Sequence, residues 1–245
     1  MPSVSATGGS PYVDPTLPGH ELAITSNEAF HLPRLPERIA IVGGGFIAVE
    51  FAGIFNGLGV ETTIIYRGEQ LLRGFDDELR TMLAREIGKK GVRVVLGDTP
   101  GSIERAGDGL RLRTRGGLAL EVGEVMLATG RRPNTARLGL ESAGVALDAA
   151  GAVMVDAYSQ SNVPSVYAIG DVTNRINLTP VAIREGHAFA DTVFGGRRIA
   201  VDHADIPMAV FSQPEIGTVG LTEAEAVAEH AAVDIYRAEF RPMKH

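Results

Sequence analysis

Six consecutive residues, Gly43-Gly44-Gly45-Phe46-Ile47-Ala48, have the types and spacing to hold a diphosphate. They fit G-x-G-x-x-A. In that pattern Gly43 permits a tight turn, Gly45 lets the backbone approach a pyrophosphate, and Ala48 lets a helix pack close to a strand. The N–H groups that open the helix then face the anion. The motif is weak alone, but its context is right. Arg38 to Val42 is an apolar run before it, and Phe46 to Leu58 holds helix formers and small residues after it. The plainer alternative is a glycine turn in an α/β fold with no ligand.

A second group of residues bears on which dinucleotide would bind. NAD sites place Asp or Glu at the end of the second strand, about 20 residues on, to bond the ribose hydroxyls. Here that place, 23 positions past Gly43, is Tyr66; Arg67 follows, and Arg73 lies six residues later. Two guanidiniums suit the 2′-phosphate of NADPH. The alternative is two surface arginines, one paired with Glu69 or Asp77.

These residues need elements to position them. Glu37 to Ala128 reads as strand (Arg38–Val42), helix (Phe46–Leu58), strand (Glu61–Tyr66), helix (Asp76–Lys90) and strand (Val92–Leu96). Such alternation implies right-handed crossovers and a parallel sheet. On the second helix Leu79, Met82, Leu83 and Ile87 fall on one face. Ser102–Ala106, Leu110–Arg115 and Leu118–Glu121 read as an antiparallel meander, and Val125–Ala128 as a last strand. Before this unit, prolines at 2, 11, 15, 18, 33 and 36 mark a connection with a short helix around Asn27 to His31. After it, a helix is expected with Thr179 as N-cap and Pro180 at its first position, running to Phe194. A capping box, Thr222-x-x-Glu225, opens a further helix.

Composition narrows the classes. The chain has 245 residues with 23 basic, 30 acidic and no cysteine, and is 44% hydrophobic. That apolar content argues against wholesale disorder. A net charge of −7 argues against a general nucleic-acid binder. No apolar run approaches the roughly 18 residues of a membrane helix, and Met1 to Pro11 shows no secretory signal. Zero cysteine excludes disulfides, thiolate metal sites and a redox dithiol within these residues. The six histidines show no metal-ligand spacing, so no metal is expected.

The motifs together resemble one family closely. GGGFIAVEFAGIFNGLG with YRGEQLLRGFD is similar to the NADPH domain of the glutathione reductase branch of the flavoprotein disulfide reductases. Ala6-Thr7-Gly8 resembles the segment ending the first part of that family's FAD domain. Ala128-Thr129-Gly130-Arg131-Arg132-Pro133-Asn134 resembles the segment closing its NADPH domain. Val166 to Asp171 with Leu178-Thr179-Pro180 resembles its second FAD motif, and Val210 to Thr222 the start of its dimerisation domain. The fold this implies is α/β: a Rossmann-like NADPH-binding domain with a three-strand meander (36–139), flanked by parts of a FAD-binding domain (1–35 and 140–200) and the start of an α+β dimerisation domain (201–245).

The resemblance also implies roles. Gly44 and Ile47 would touch NADPH through backbone, with Gly43 and Gly45 also counted in the cofactor site. Phe46 stands where many members carry a tyrosine gating the nicotinamide pocket. Glu50 would lie near the nicotinamide, paired with a lysine outside these residues, or be a solvated helix acid. Gly130 and Arg131 would line the NADPH groove. Asp171 would accept from the FAD ribityl chain, with Asn177, Leu178 and Thr179 beside the flavin. His187 stands where glutathione reductases carry an arginine that holds a substrate carboxylate and trypanothione reductases a small residue; a solvated histidine is an equal alternative.

The family's reaction passes electrons from NADPH to FAD, to a cysteine pair, to glutathione disulfide, with a histidine–glutamate pair handling protons. No C-x₄-C and no His-Pro-Thr occur here, so no catalytic residue is assigned. Met1 to Ser5 do not read as the apolar strand the family has there. The expectation is a piece, inactive alone, of a cytoplasmic homodimeric enzyme, its 140–200 stretch abnormally exposed. The alternatives are a reductase of trypanothione or another small disulfide, and a non-catalytic NADPH-binding module.

Overall fold

The computed structural model describes residues 1–240 and 243; Arg241, Pro242, Lys244 and His245, at the end of the 201–245 stretch, lie outside the described residues. The path opens with β1 (Ser3–Ser5), β2 (Gly9–Pro11) and a one-turn helix α1 (Ser26–Ala29). It continues through β3 (Arg38–Val42), α2 (Phe46–Gly57), β4 (Glu61–Tyr66), α3 (Asp77–Lys89) and β5 (Arg93–Leu96). The meander is β6 (Pro100–Ala106), β7 (Gly109–Thr114) and β8 (Ala119–Val122), and β9 (Glu124–Leu127) returns to the sheet.

The sheet runs β5-β4-β3-β9, all parallel, with Ile41 level with both Ile64 and Met126. β3 is central, which is why its apolar run is continuous rather than alternating. Ile39 and Ile41 pack into the cluster of α2 and α3, while Ala40 and Val42 pack into the cluster under the meander. Each such buried aliphatic side chain contributes about 1.5–3 kcal/mol. α2 buries Ala48, Val49, Phe51, Ala52 and Phe55. α3 buries Leu83 and Ile87, with Leu79 partly covered. Met82, expected on that face, is 40% exposed: it sits about 60° of helix rotation before Leu79, at the rim of the stripe.

Past the sheet come β10 (Arg131–Pro133), β11 (Val166–Ala168), a 3₁₀ turn at Gly170–Thr173 and α4 (Thr179–Val193). β1 pairs parallel with β11, and β2 antiparallel with β10. The Ser-Val-Ser of β1 is therefore a strand despite its composition, because the ladder uses backbone groups that any residue supplies. The N-cap of α4 is Leu178, not Thr179: the Leu178 carbonyl accepts from Ala182 N–H at 3.0 Å, so Thr179 already lies inside the first turn. Ile183 on α4 and Phe194 at its end are 56% and 72% exposed.

The last described elements are β12 (Met208–Val210), β13 (Ile216–Thr218) and α5 (Glu223–Glu229), whose Thr222–Glu225 capping box is formed. They fold back over the sheet unit. Val210 and Ile216 join the α2 cluster. The Glu223 N–H donates to Asp76 at 3.1 Å, and Arg237 bridges Glu78 and Glu223 at 2.6 and 2.9 Å. The Glu223 N–H, and after it that of Glu78, hold the Asp76 carboxyl below its ordinary 3.8. No helix among the described residues is long and apolar enough to cross a membrane.

Candidate functional site: two clefts at the ends of the strands

The glycine loop sits at the carboxyl edge of the sheet, where ligands bind in open α/β folds. Its three glycines answer to different neighbours. Gly43 has φ +145°, and a Cβ there would lie 2.3 Å from the Ala128 carbonyl oxygen. A Cβ on Gly44 would lie 2.4 Å from the Tyr66 ring, whose far edge meets Gly68 at 2.5 Å in the same way. Gly45 is different: nothing lies within 4 Å of where its Cβ would be. It is the N-cap of α2, and no side chain caps that helix. The first intrahelical bond is Val49 N–H to Gly45 carbonyl at 3.2 Å. The N–H groups of Phe46, Ile47 and Ala48 before it have no backbone acceptor among the described residues, as an anion site requires.

This separates packing from binding by experiment. Gly44→Ala is expected to destabilise the fold by about 1–3 kcal/mol through the Tyr66 clash. Gly45→Ala should cost under about 1 kcal/mol, an N-cap effect, while dinucleotide affinity falls sharply. Melting curves beside nucleotide titrations read both. An unaffected affinity in Gly45→Ala would remove the loop as a binding site.

At the end of β4 the loop of residues 67–75 folds onto this motif. Leu71 and Leu72 are 0% and 1% exposed, and the Leu72 N–H donates to the Gly44 carbonyl at 2.6 Å. Leu72 adopts φ +53°, a left-handed backbone costing about 1–2 kcal/mol, held by that burial. Arg67 and Arg73, at either end of the loop, are exposed. Neither makes an ion pair with any described residue; Asp77, a possible partner by sequence, is taken by Arg80 at 2.6 Å. Phe46 is 39% exposed beside the loop, and Ile47 is half-buried. Glu50 is half-buried: its Oε1 accepts the Phe211 N–H at 2.9 Å, from the residue just past β12.

The second cleft, of about 370 Å³, lies among Ala6, Gly8, Gly9, Arg131, Ile169–Asp171, Thr179 and Ile183. Arg131 lines this second cleft. Its guanidinium donates to the Gly9 carbonyl and stands 4.0 Å from Asp171 Oδ2. The reason is pairing: β10 lies against β2, which turns Arg131 toward Gly9. Gly130, one residue earlier, has φ +142° and open space over its Cα, so the 128–131 segment runs from one cleft to the other. Asn177 bonds Asn174 at 3.1 Å through Nδ2, and its buried Oδ1 has no partner. His187 lies exposed on α4 without a hydrogen bond to a described residue.

The residue that sequence reasoning missed is Glu185. It is 1% exposed, and three donors meet it: Gly170 N–H at 2.6 Å, Arg175 at 2.9 Å and His203 at 2.7 Å. Arg175 also reaches Ser159 at 2.9 Å, and the Thr173 hydroxyl donates to the Gly170 carbonyl at 2.8 Å. The network fixes the turn that presents Asp171. Its signal was available: Val181, Glu185 and Ala188 are spaced i, i+4, i+7, so the acid stands in the buried stripe of its helix. A larger hollow of about 580 Å³ beside α1 lies away from both clefts. Its one carboxylate, Glu28, is committed to the α1 capping box. Among the described residues no cluster of three or more His, Asp or Glu has the geometry to hold a metal.

Residues 3–186 match the family described as pyridine nucleotide-disulphide oxidoreductase, and residues 206–245 match that family's dimerisation domain. A glutathione reductase of Burkholderia cepacia is 54% identical over 239 residues, covering 98% of this chain and 53% of that protein. A trypanothione reductase of Trypanosoma congolense is 46% identical over 246 residues, covering 99% and 50%. The chain thus spans about half the length of the curated relatives it matches. Among solved structures, the HOCl-induced flavoprotein disulfide reductase RclA of Escherichia coli superposes with a TM-score of 0.87 at 29% identity, covering 94% of this chain and 53% of that one.

Proposed function

The chain belongs to the pyridine nucleotide-disulphide oxidoreductase family, and from that premise we propose that it holds NADPH at the glycine loop and FAD in the second cleft, within a reductase of glutathione disulfide. The observation that carries the nucleotide half is the pair of arginines, without an ion pair among the described residues, on a loop fastened to Gly44, with Tyr66 where an NAD site has an acid. For the flavin half, Asp171 stands beside Arg131 in a cleft floored by Gly8 and Gly9, and its half-buried carboxylate can accept ribityl hydroxyls. When bound, the two groups supply hydride and two-electron transfer toward a disulfide. The chain's own part is placement. The open N–H groups of α2 hold the pyrophosphate, Arg67 and Arg73 hold the 2′-phosphate, and Glu50 is held in place at its cleft by the Phe211 N–H. A cytoplasmic location and a homodimer belong to the same reading.

The thiol chemistry requires residues beyond these 245, which include no cysteine. The isolated polypeptide is expected to bind NADPH weakly and to leave glutathione disulfide unreduced. Glutathione-disulfide-dependent oxidation of NADPH by it would overturn that placement of the thiols. A second reading, trypanothione disulfide as substrate, rests on the 46% identity to a trypanothione reductase, and His187 matches neither branch's residue at that place. Rates with the two disulfides, measured on the natural gene product, decide between them.

A further inference from the structure

We propose that Arg80 is a positioning residue for nucleotide choice: it touches no nucleotide itself, and sets where the loop of Arg67 and Arg73 lies. The inference rests on the NADPH reading above. Arg80 opens no cleft and is one turn into α3, yet its side chain is only 17% exposed. Its guanidinium donates to the Leu71 carbonyl at 2.7 Å, the Gln70 carbonyl at 3.2 Å and Asp77 Oδ1 at 2.6 Å. The opposite side of the same loop is tied to the glycine motif through Leu72 N–H and the Gly44 carbonyl at 2.6 Å. The loop is thus clamped between the glycine motif and α3, and its one left-handed non-glycine residue, Leu72, sits inside the clamp. Removing Arg80 strips the donors from two partly buried carbonyls and releases the strained turn. Arg67 and Arg73 then keep their charge and lose their address. Arginine suits the task because a planar fork reaches two carbonyls and a carboxylate together, which a lysine's point charge does not.

The test is calorimetric titration of the parent chain, Arg80→Met and Arg80→Lys with NADPH and with NADH. The parent is expected to prefer NADPH. In Arg80→Met the NADPH affinity falls roughly tenfold, the worth of one charge-assisted hydrogen bond, while NADH affinity stays within about twofold. Arg80→Lys, which keeps the stem and the charge, falls between, and is the variant read if Arg80→Met does not fold. A variant that binds NADH and keeps the parent's full preference overturns the clamp alone. Equal loss of both nucleotides also overturns it, since that marks a residue that merely supports the fold. A parent with no preference brings down the two-arginine reading, and the clamp with it.

Discussion

Replacing Glu185 with alanine is expected to cost about 3 kcal/mol of stability, the lower end of what breaking a buried ion pair from one side costs. The carboxylate itself is 1% exposed and serves three donors. Its removal leaves the Gly170 N–H without an acceptor, and two cationic-type side chains around an empty volume. The lower end applies because Arg175 and His203 are 23% and 24% exposed, so water can take over part of their solvation. Glu185→Gln separates the parts. Its amide oxygen can still accept from Gly170, but the charge facing Arg175 is gone, so a loss of about half is expected. Denaturant midpoints for the parent and both variants read this, with exchange of the Gly170 amide as a local probe. Alanine at the parent's midpoint would mean that the buried carboxylate contributes no net stability. Unchanged protection of Gly170 would mean that it does not hold the turn of Asp171.

What could be read from the sequence was whatever depends on neighbours in the chain. β4 occupies Glu61–Tyr66 as expected, since a β-branched run between Gly59 and Gly68 leaves little choice of boundary. The continuous apolar run of β3 announced a strand buried on both faces, and it is. One local signal was passed over: Thr25-x-x-Glu28 is the same capping box as Thr222-x-x-Glu225, and it starts α1 at Ser26, a residue before Asn27. The remainder depended on distant partners. Arg131 donates to the carbonyl of Gly9, 122 residues away in the chain, a partner no local motif announces. Ser3–Ser5 is a strand because Val166–Ala168 lies beside it. Arg80 and Glu185 look like ordinary helix charges until the carbonyls and amide they serve are brought to them.

The second large effect concerns Arg67 and Arg73. The double replacement by alanine is expected to weaken NADPH binding about a hundredfold and leave NADH binding nearly unchanged. Each charge-assisted hydrogen bond to phosphate is worth roughly 1.5–3 kcal/mol. Both side chains are exposed, so solvent screening argues for the low end, about 3 kcal/mol for the pair, or two decades in affinity. NADH lacks the 2′-phosphate and uses only the glycine loop and the α2 terminus, neither of which these substitutions touch. Both must be replaced because they enter the loop from opposite ends, one beside Tyr66 and one beyond the buried Leu72, so either alone could hold the anion. Salt gives an independent check: the parent's advantage for NADPH should shrink as ionic strength rises, and the double variant should show little such dependence. Titrations at two salt concentrations with both nucleotides suffice. If the double variant binds NADPH as tightly as the parent, the arginines are ordinary surface charges, and NADPH loses its main support as the nucleotide of this cleft.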